Sequence, residues 1–349
     1  MNTATATTDH GAQVRSPALQ LLLRLDRYLL AILATVGLAS LLPARGATAD
    51  LLGHVVQGVI ALLFYLYGAR LSGRAALDGF RNWRLHLTVT GATFVLFPLI
   101  GLACRLLEPA LIPPDLYFGV MFLCVLPSTV QSSIAFTSIA HGNVPAAICS
   151  ASFSNLAGIV LTPVLASVYL GSQVDVSPGS VVRIAVQLLV PFLLGQLTRR
   201  WIGGFVEAHP RGTGLVDRCS VLLVVYSAFS AGVVTGVWRR VTAPHLLVVI
   251  AVDAAILALV LSITTYASRL LRFDNADRIV VIFCGSKKSI ATGIPIAAVL
   301  FAGREVSLIV LPAMLFHQLQ LMVCAVLSRR FARRADAAAQ PTADAVPAP

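Results

Sequence analysis

Ten apolar stretches, each close to the roughly 20 residues an α-helix needs to cross a bilayer core, divide this chain almost from end to end. A backbone at that depth has no water to bond, so each stretch is confined to a helix that pairs its own amides and carbonyls. The first half holds Tyr28–Leu42, Leu51–Leu71, Leu85–Cys104, Tyr117–Ile139 and Val144–Leu170. The second half holds Val181–Leu197, Cys219–Val237, Leu246–Leu270, Ile279–Phe301 and Val306–Leu327. With 57% hydrophobic and only 12% charged residues, the expected fold class is an all-α polytopic membrane protein with ten transmembrane helices.

The arginines orient that bundle. With a cytoplasmic N-terminus, the inner flanks hold 18 of them: Arg15, Arg24, Arg27, Arg70, Arg74, Arg81, Arg84, Arg199, Arg200, Arg211, Arg218, Arg269, Arg272, Arg278, Arg329, Arg330, Arg333 and Arg334. The outer flanks hold six, Arg45, Arg105, Arg183, Arg239, Arg240 and Arg304. Both termini are therefore expected on the cytoplasmic side of a cell inner membrane. Residues 1–20 read as a cytoplasmic tail without the apolar core or cleavage site of a signal peptide, and 331–349 as a disordered cytoplasmic tail rich in Ala and Pro.

Several function classes drop out. The net charge of +11 is scattered between apolar runs rather than gathered on a basic face, which speaks for topology and against nucleic acid. Six cysteines, Cys104, Cys124, Cys149, Cys219, Cys284 and Cys324, lie in or at the ends of apolar stretches with no CxxC, so they read as packing residues. There is no HExxH, no nucleotide-binding glycine loop, and no serine with a histidine at a recognisable motif spacing. No cofactor is expected, and the chain is not expected to be an enzyme.

The fourth and ninth stretches break the helical rule. Pro127 interrupts FLCVLPSTVQSSIAFTSIAHGN (Phe122–Asn143), and Gly285-Ser286 weakens IVVIFCGSKKSIATGIPIAAVLFAG (Ile279–Gly303). Ser133-Ile134-Ala135 matches Ser289-Ile290-Ala291, and each run continues to a glycine, Gly142 or Gly303. Five helices followed by five more are oppositely oriented, so the halves, about 21–171 and 178–330, form an inverted repeat. Unpaired backbone at the two breaks must face protein or water near the midplane.

Lys287 and Lys288, the only lysines, lie at the second break, and a charge at that depth marks a site lining a polar cavity. Lys287 is about 100° further round the same helix and is free to snorkel or to pair elsewhere. Asp253 is the one carboxylate away from a segment boundary. It reads equally as a proton relay or counter-charge and as a hydrated residue near the helix end. Ser132, Ser133 and Thr137 either meet a ligand or bond back to their own helix.

The runs PSTVQSSIAFTSIAHGNVPAA (Pro127–Ala147), NWRLHLTVTGATFVLFPLI (Asn82–Ile100) and CGSKKSIATGIPIA (Cys284–Ala297) resemble the bile acid:sodium symporter superfamily, most closely the bacterial bile-acid-symporter-like branch related to human solute carrier family 10 member 7. The resemblance covers about Leu21 to Arg330. It implies a panel domain and a core domain, broken helices four and nine crossing in the core, and sodium held around that crossing. The family's acid at the second break falls here on Phe283, and its glutamine and asparagine fall on Lys287 and Lys288.

An ammonium supplies only donors, and one about 4 Å from a sodium ion would cost about 4 kcal/mol at an effective dielectric near 20. Three mechanisms remain open. Lys288 serves as a built-in cation that, with half-helix ends near Ser289 and Ser133, holds an organic anion; or Lys288 cycles a proton; or sodium persists at Ser132, Ser133 and Thr137 as the coupling ion. The expected function is a secondary transporter moving a small organic anion through the lipid bilayer, sodium-coupled by resemblance, with a non-transporting sensor or scaffold as the other class. The expected binding residues are Lys288, Ser289, Ser132 and Ser133, then Gln131, Thr137, Asn143 and Lys287.

Overall fold

A computed structural model describes residues 27–70, 82–170, 178–236, 241–301 and 305–339. Its elements in chain order are α1 (Arg27–Leu41), α2 (Ala47–Arg70), α3 (Trp83–Gly91), a π-helical turn (Ala92–Leu96), α4 (Phe97–Ala103), a 3-10 turn (Cys104–Leu107), α5 (Pro114–Val125), α6 (Gln131–Ile139), α7 (Val144–Leu170), α8 (Pro178–Ala208), α9 (Pro210–Val234), α10 (Ala243–Leu270), α11 (Asn275–Gly285), α12 (Ile290–Leu300) and α13 (Val306–Ala339). Among the described residues there is no strand. Among the described residues seven helical stretches are long and apolar enough to cross a membrane, counting Trp83–Leu107 and Asn275–Leu300 as continuous, and Leu30–Leu41 and Pro114–Val125 are shorter apolar helices. The chain is a multi-pass membrane protein.

Local sequence sets the helix ends. Asn143 caps α7, its Oδ1 accepting from Ala146 N at 3.1 Å. Thr242 and His245 form a reciprocal cap at the start of α10, and Asp274 accepts from Asp277 N at 2.7 Å to start α11. Ser289 opens α12 in the same way, accepting from Thr292 N at 3.2 Å.

Two packing groups result. Helices α1, α2, α8 and α9 pack on one another, while α5 and α13 form the main contact of a second group that includes α10, α11 and α12. The closest approach is between α2 and α8, where Gly68 lies on the carbonyl of Phe192 and Gly195 on the carbonyl of Tyr65, with no room for a Cβ at either. Tyr65 Oη and Thr198 Oγ1 close the same seam at 2.9 Å.

The structure revises several expectations. Lys287 and Lys288 do not stand on one helix; both lie in the non-helical link Ser286–Ser289 between α11 and α12. The match of Ser133 to Ser289 is out of step with the helix starts, since Ser289 is the N-cap of α12 whereas Ser133 is the third residue of α6. The chain after Arg330 continues as helix to Ala339, because alanine and arginine are strong helix formers. The N-terminal tail 1–20, Arg74, Arg81, Arg239, Arg240, Gly303, Arg304 and residues 340–349 lie outside the described residues.

Gly195→Ala should force α2 from α8 and cost at least about 1–3 kcal/mol as overpacking. Thermal unfolding in detergent checks this, with Gly204→Ala as the control, since nothing lies near a Cβ there.

Candidate functional site

A helix interrupted at membrane depth leaves carbonyls at its C-terminal end that neither lipid nor its own next turn can pair. Here the two interruptions meet, and each pairs the orphans of the other. Ser128 Oγ donates to Cys284 O at 2.6 Å, and Ser289 N donates to Pro127 O at 2.8 Å. Ser133 Oγ donates to Phe283 O at 3.4 Å and Ser286 Oγ to Ile282 O at 2.6 Å. Helix α7 contributes as well: Thr162 Oγ1 donates to Val125 O at 2.8 Å, and Ser154 Oγ accepts from Ser128 N at 2.9 Å.

The lysines complete that pairing. Lys288 Nζ donates to Thr93 O and Cys124 O at 2.8 Å and to Leu126 O at 2.7 Å, and sits 4.0 Å from the ring centroid of Phe97. Three acceptors call for three donors, which only the protonated ammonium supplies, and the ring face covers the remaining side. Its backbone is gripped by Gln320, whose Oε1 accepts from Lys288 N at 2.8 Å and whose Nε2 donates to Lys288 O at 2.9 Å. Lys287 Nζ donates to Ser132 O at 2.8 Å and lies over Phe136 at 4.0 Å and Phe283 at 5.3 Å. Both side chains are enclosed, at 0% and 1% exposure, so Lys288 does not line the cavity expected of it, and of the two alternatives for Lys287 the structure shows pairing rather than snorkelling. The protein interior supplies what water would have.

The cavity lies beside them. It measures about 360 Å³ and is bordered by the opening residues of both second half-helices, Gln131 and Ser132 of α6 and Ser289 to Thr292 at α12, with Ser152 and Asn155 of α7 between. Across it stand Tyr67 and Arg70 of α2, Phe192 of α8 and Arg218 of α9, while α13 contributes His317 and Leu321. Two helix N-termini, Arg70 and Arg218 border it, and no carboxylate-bearing residue does among the described residues; the helix ends bring partial positive charge to it. Ile148, Leu156 and Ile159 give it an apolar wall. His317 also bonds Gln320 Nε2 at 2.8 Å, which joins the cavity to the Lys288 backbone.

Of the expected binding residues, Gln131, Ser132 and Ser289 border the cavity. Ser133 and Thr137 are buried on the other side of α6, where Ser133 bonds Thr129 at 3.0 Å and Thr137 Oγ1 has no partner among the described residues. Asn143 lies elsewhere, at the α6–α7 turn, donating to Asp277 at 2.8 Å opposite Asn82, which donates to the same carboxylate at 3.0 Å. Asp253 meets neither lysine: it is fully buried in α10 and both its oxygens lack a partner among the described residues. The reading of Asp253 as a hydrated residue near the helix end is thus not met. Sequence reasoning missed Arg70 and Arg218, which counted there only as topology markers, and also Asn155, Thr292 and Gln320. Thr292, three residues after Ser289, was available as a capping signal.

The SBF-like CPA transporter family model matches residues 26–333. The chain belongs to that family. A protein of Pseudomonas aeruginosa, "Uncharacterized protein PA2026", is 53% identical over 92% of this chain and 97% of its own length. "Putative symporter YfeH" of Escherichia coli is 47% identical over 89% of this chain and 94% of its own. "Sodium/bile acid cotransporter 7" of Rattus norvegicus is 28% identical over 87% and 92%. The family places the meeting of the two interrupted helices in a transporter.

Lys288→Ala leaves the carbonyls of Thr93, Cys124 and Leu126 without their shared donor and should destabilise the protein by about 1–3 kcal/mol for each one left dry. Thermal unfolding should show a large drop for Lys288→Ala and a small one for Gln131→Ala, which removes only a cavity side chain.

Proposed function

We propose that this chain is a secondary transporter that carries a small organic anion across the cytoplasmic membrane by alternating access without sodium, the ammonium of Lys288 standing where a coupling cation would stand. The observation that carries the reading is the cage of Thr93, Cys124 and Leu126 carbonyls around Lys288 Nζ, beside a cavity that Arg70 and Arg218 and, among the described residues, no carboxylate border. Three carbonyl oxygens at 2.7–2.8 Å are how a protein desolvates a monovalent cation, and here the cation is covalently attached. The sodium position expected at Ser132, Ser133 and Thr137 is crowded likewise, because Lys287 Nζ already occupies Ser132 O. A sodium ion beside two ammonium groups meets only repulsion.

In this reading the ten apolar stretches are ten spans in two inverted five-helix repeats. The group α1, α2, α8 and α9 is the panel, and the remaining helices form the core, with the cavity between them. Arg70 and Arg218 belong to the flanks that the arginine count assigns to the cytoplasm, so the conformation described is inward-facing and both termini are cytoplasmic. An anion is held by the N-termini of α6 and α12 together with Arg70 and Arg218, and its apolar part lies on Ile148, Leu156 and Ile159. The name of the rat relative favours sodium coupling, and that reading is the one the experiment must separate. A sensor or scaffold, the other class, would show no solute-dependent change in accessibility.

Uptake of labelled taurocholate, pyruvate and pantoate into proteoliposomes tests this, with a sodium gradient, a proton gradient or neither. At least one anion should enter equally well with choline in place of sodium, and Lys288→Gln, checked for folding, should slow it by about tenfold or more. Uptake that requires sodium would mean that the lysines lie outside the ion site. In Lys288→Ala the emptied cage should bind sodium, so that sodium raises the melting temperature of the variant but not that of the wild type.

A further inference from the structure

Asp253 plays no part in the cavity or in the lysine cages, and its setting is unlike that of any structural carboxylate. It is the eleventh residue of the 28-residue α10, about 15 Å along the helix axis from its start. Its exposure is 0%, its neighbours along the helix Val249, Val252, Ile256 and Leu257 are buried, and neither oxygen finds a donor among the described residues. An ionised carboxylate left so is strongly disfavoured, and even the neutral acid forfeits a hydrogen bond it would make in water. A leucine would be cheaper at every protonation state. Packing alone therefore gives no reason for an aspartate here.

The surroundings narrow what the group can do. Cys104 of the 3-10 turn and Cys124 of α5 lie within electrostatic reach of it. The π turn and α4, both packed on α10, carry no titratable residue. On α11 and α13, Asp277 is held by Asn82 and Asn143, Cys284 and Cys324 lie by Lys287, and His317 bonds Gln320. Lys288 has its three protons committed to carbonyls, one of them that of Cys124. Residue 124 is thus common to both, its carbonyl accepting from Lys288 and its thiol lying within electrostatic reach of Asp253.

We propose that Asp253 is a proton-binding site, carrying its proton as a neutral acid in the dry seam between α10 and the α4–α5 pair and giving it to water when that seam is hydrated. The step is a simple dissociation: the O–H bond breaks, the proton leaves with water, and the carboxylate remains. The anion so formed lies beside Cys124, whose carbonyl accepts from Lys288. Proton occupancy then favours the sealed conformation, and release favours the hydrated one. The use of this proton in transport rests on the transporter reading above; its binding does not.

Infrared spectroscopy of the full-length protein in lipid vesicles at neutral pH tests the binding without any substrate. The wild type should show a protonated-carboxyl stretching band that is lost in Asp253→Asn and in Asp253→Leu, the second of which should be no less stable than the wild type. No such band, or one that persists in both variants, overturns the proposal while leaving the transporter reading untouched. Maleimide labelling of Cys124 tests the release. From pH 6.5 to 8.5 the labelling rate should rise several-fold more in the wild type than in Asp253→Asn, the variant correcting for the thiol's own ionisation. Equal rises would overturn the link between proton and seam.

Discussion

Everything near the midplane of this protein depends on how interrupted helices dispose of their carbonyl oxygens. Helices α5 and α11 each stop in the interior, where lipid cannot pair the last turn and water is scarce. The solution is reciprocal: Ser128 and Ser133 of the first interruption bond Cys284 O and Phe283 O of the second, and Ser289 N returns a bond to Pro127 O. Lys288 then gathers Cys124 O and Leu126 O with Thr93 O from the π turn, tying a third element to the crossing. One ammonium does what two or three separate side chains would otherwise have to do.

That arrangement frees the other ends of the interruptions for a ligand. Because C-terminal carbonyls are consumed internally, the N-termini of α6 and α12 are left to face the cavity, and both bring partial positive charge to it. The opposite wall belongs to the α2–α8–α9 group, whose tight contact at Gly68 and Gly195 lets it behave as a stiff unit. A cavity between a stiff wall and a cross-braced pair of broken helices can change shape by relative movement of the two groups without disturbing either interior.

The polar residues outside this centre divide by how well they are paired. Asp277 receives amides from Asn82 and Asn143 and so pins the starts of α3, α7 and α11 together, a mechanical task that engages both oxygens of its carboxylate. Asp253 receives nothing among the described residues. The contrast between two aspartates of one chain, one with both oxygens paired and one with neither paired among the described residues, separates a residue kept for structure from one whose retention needs another explanation.

The membrane class, the apolar stretches and the break at Pro127 were legible in the sequence, because hydropathy and proline act through chemistry that is local to a few residues. So was the special standing of Lys287-Lys288, since two charges in an apolar run are costly in any fold. What those lysines touch was not legible: the carbonyls of Thr93, Cys124 and Leu126 lie about 160 to 195 residues away in the chain, and a backbone carbonyl leaves no mark in sequence. Arg70 and Arg218 carried a topology signal that concealed their place at the cavity, and Asn143 carried a helix-capping signal that resembled a binding one. The sequence by itself therefore determined that the chain crosses a membrane and where its helices must break, because both follow from the cost of burying polar groups in lipid. Only the tertiary structure decided which groups pair at those breaks and which remain to meet a solute, because pairing depends on distances between segments that share no local sequence.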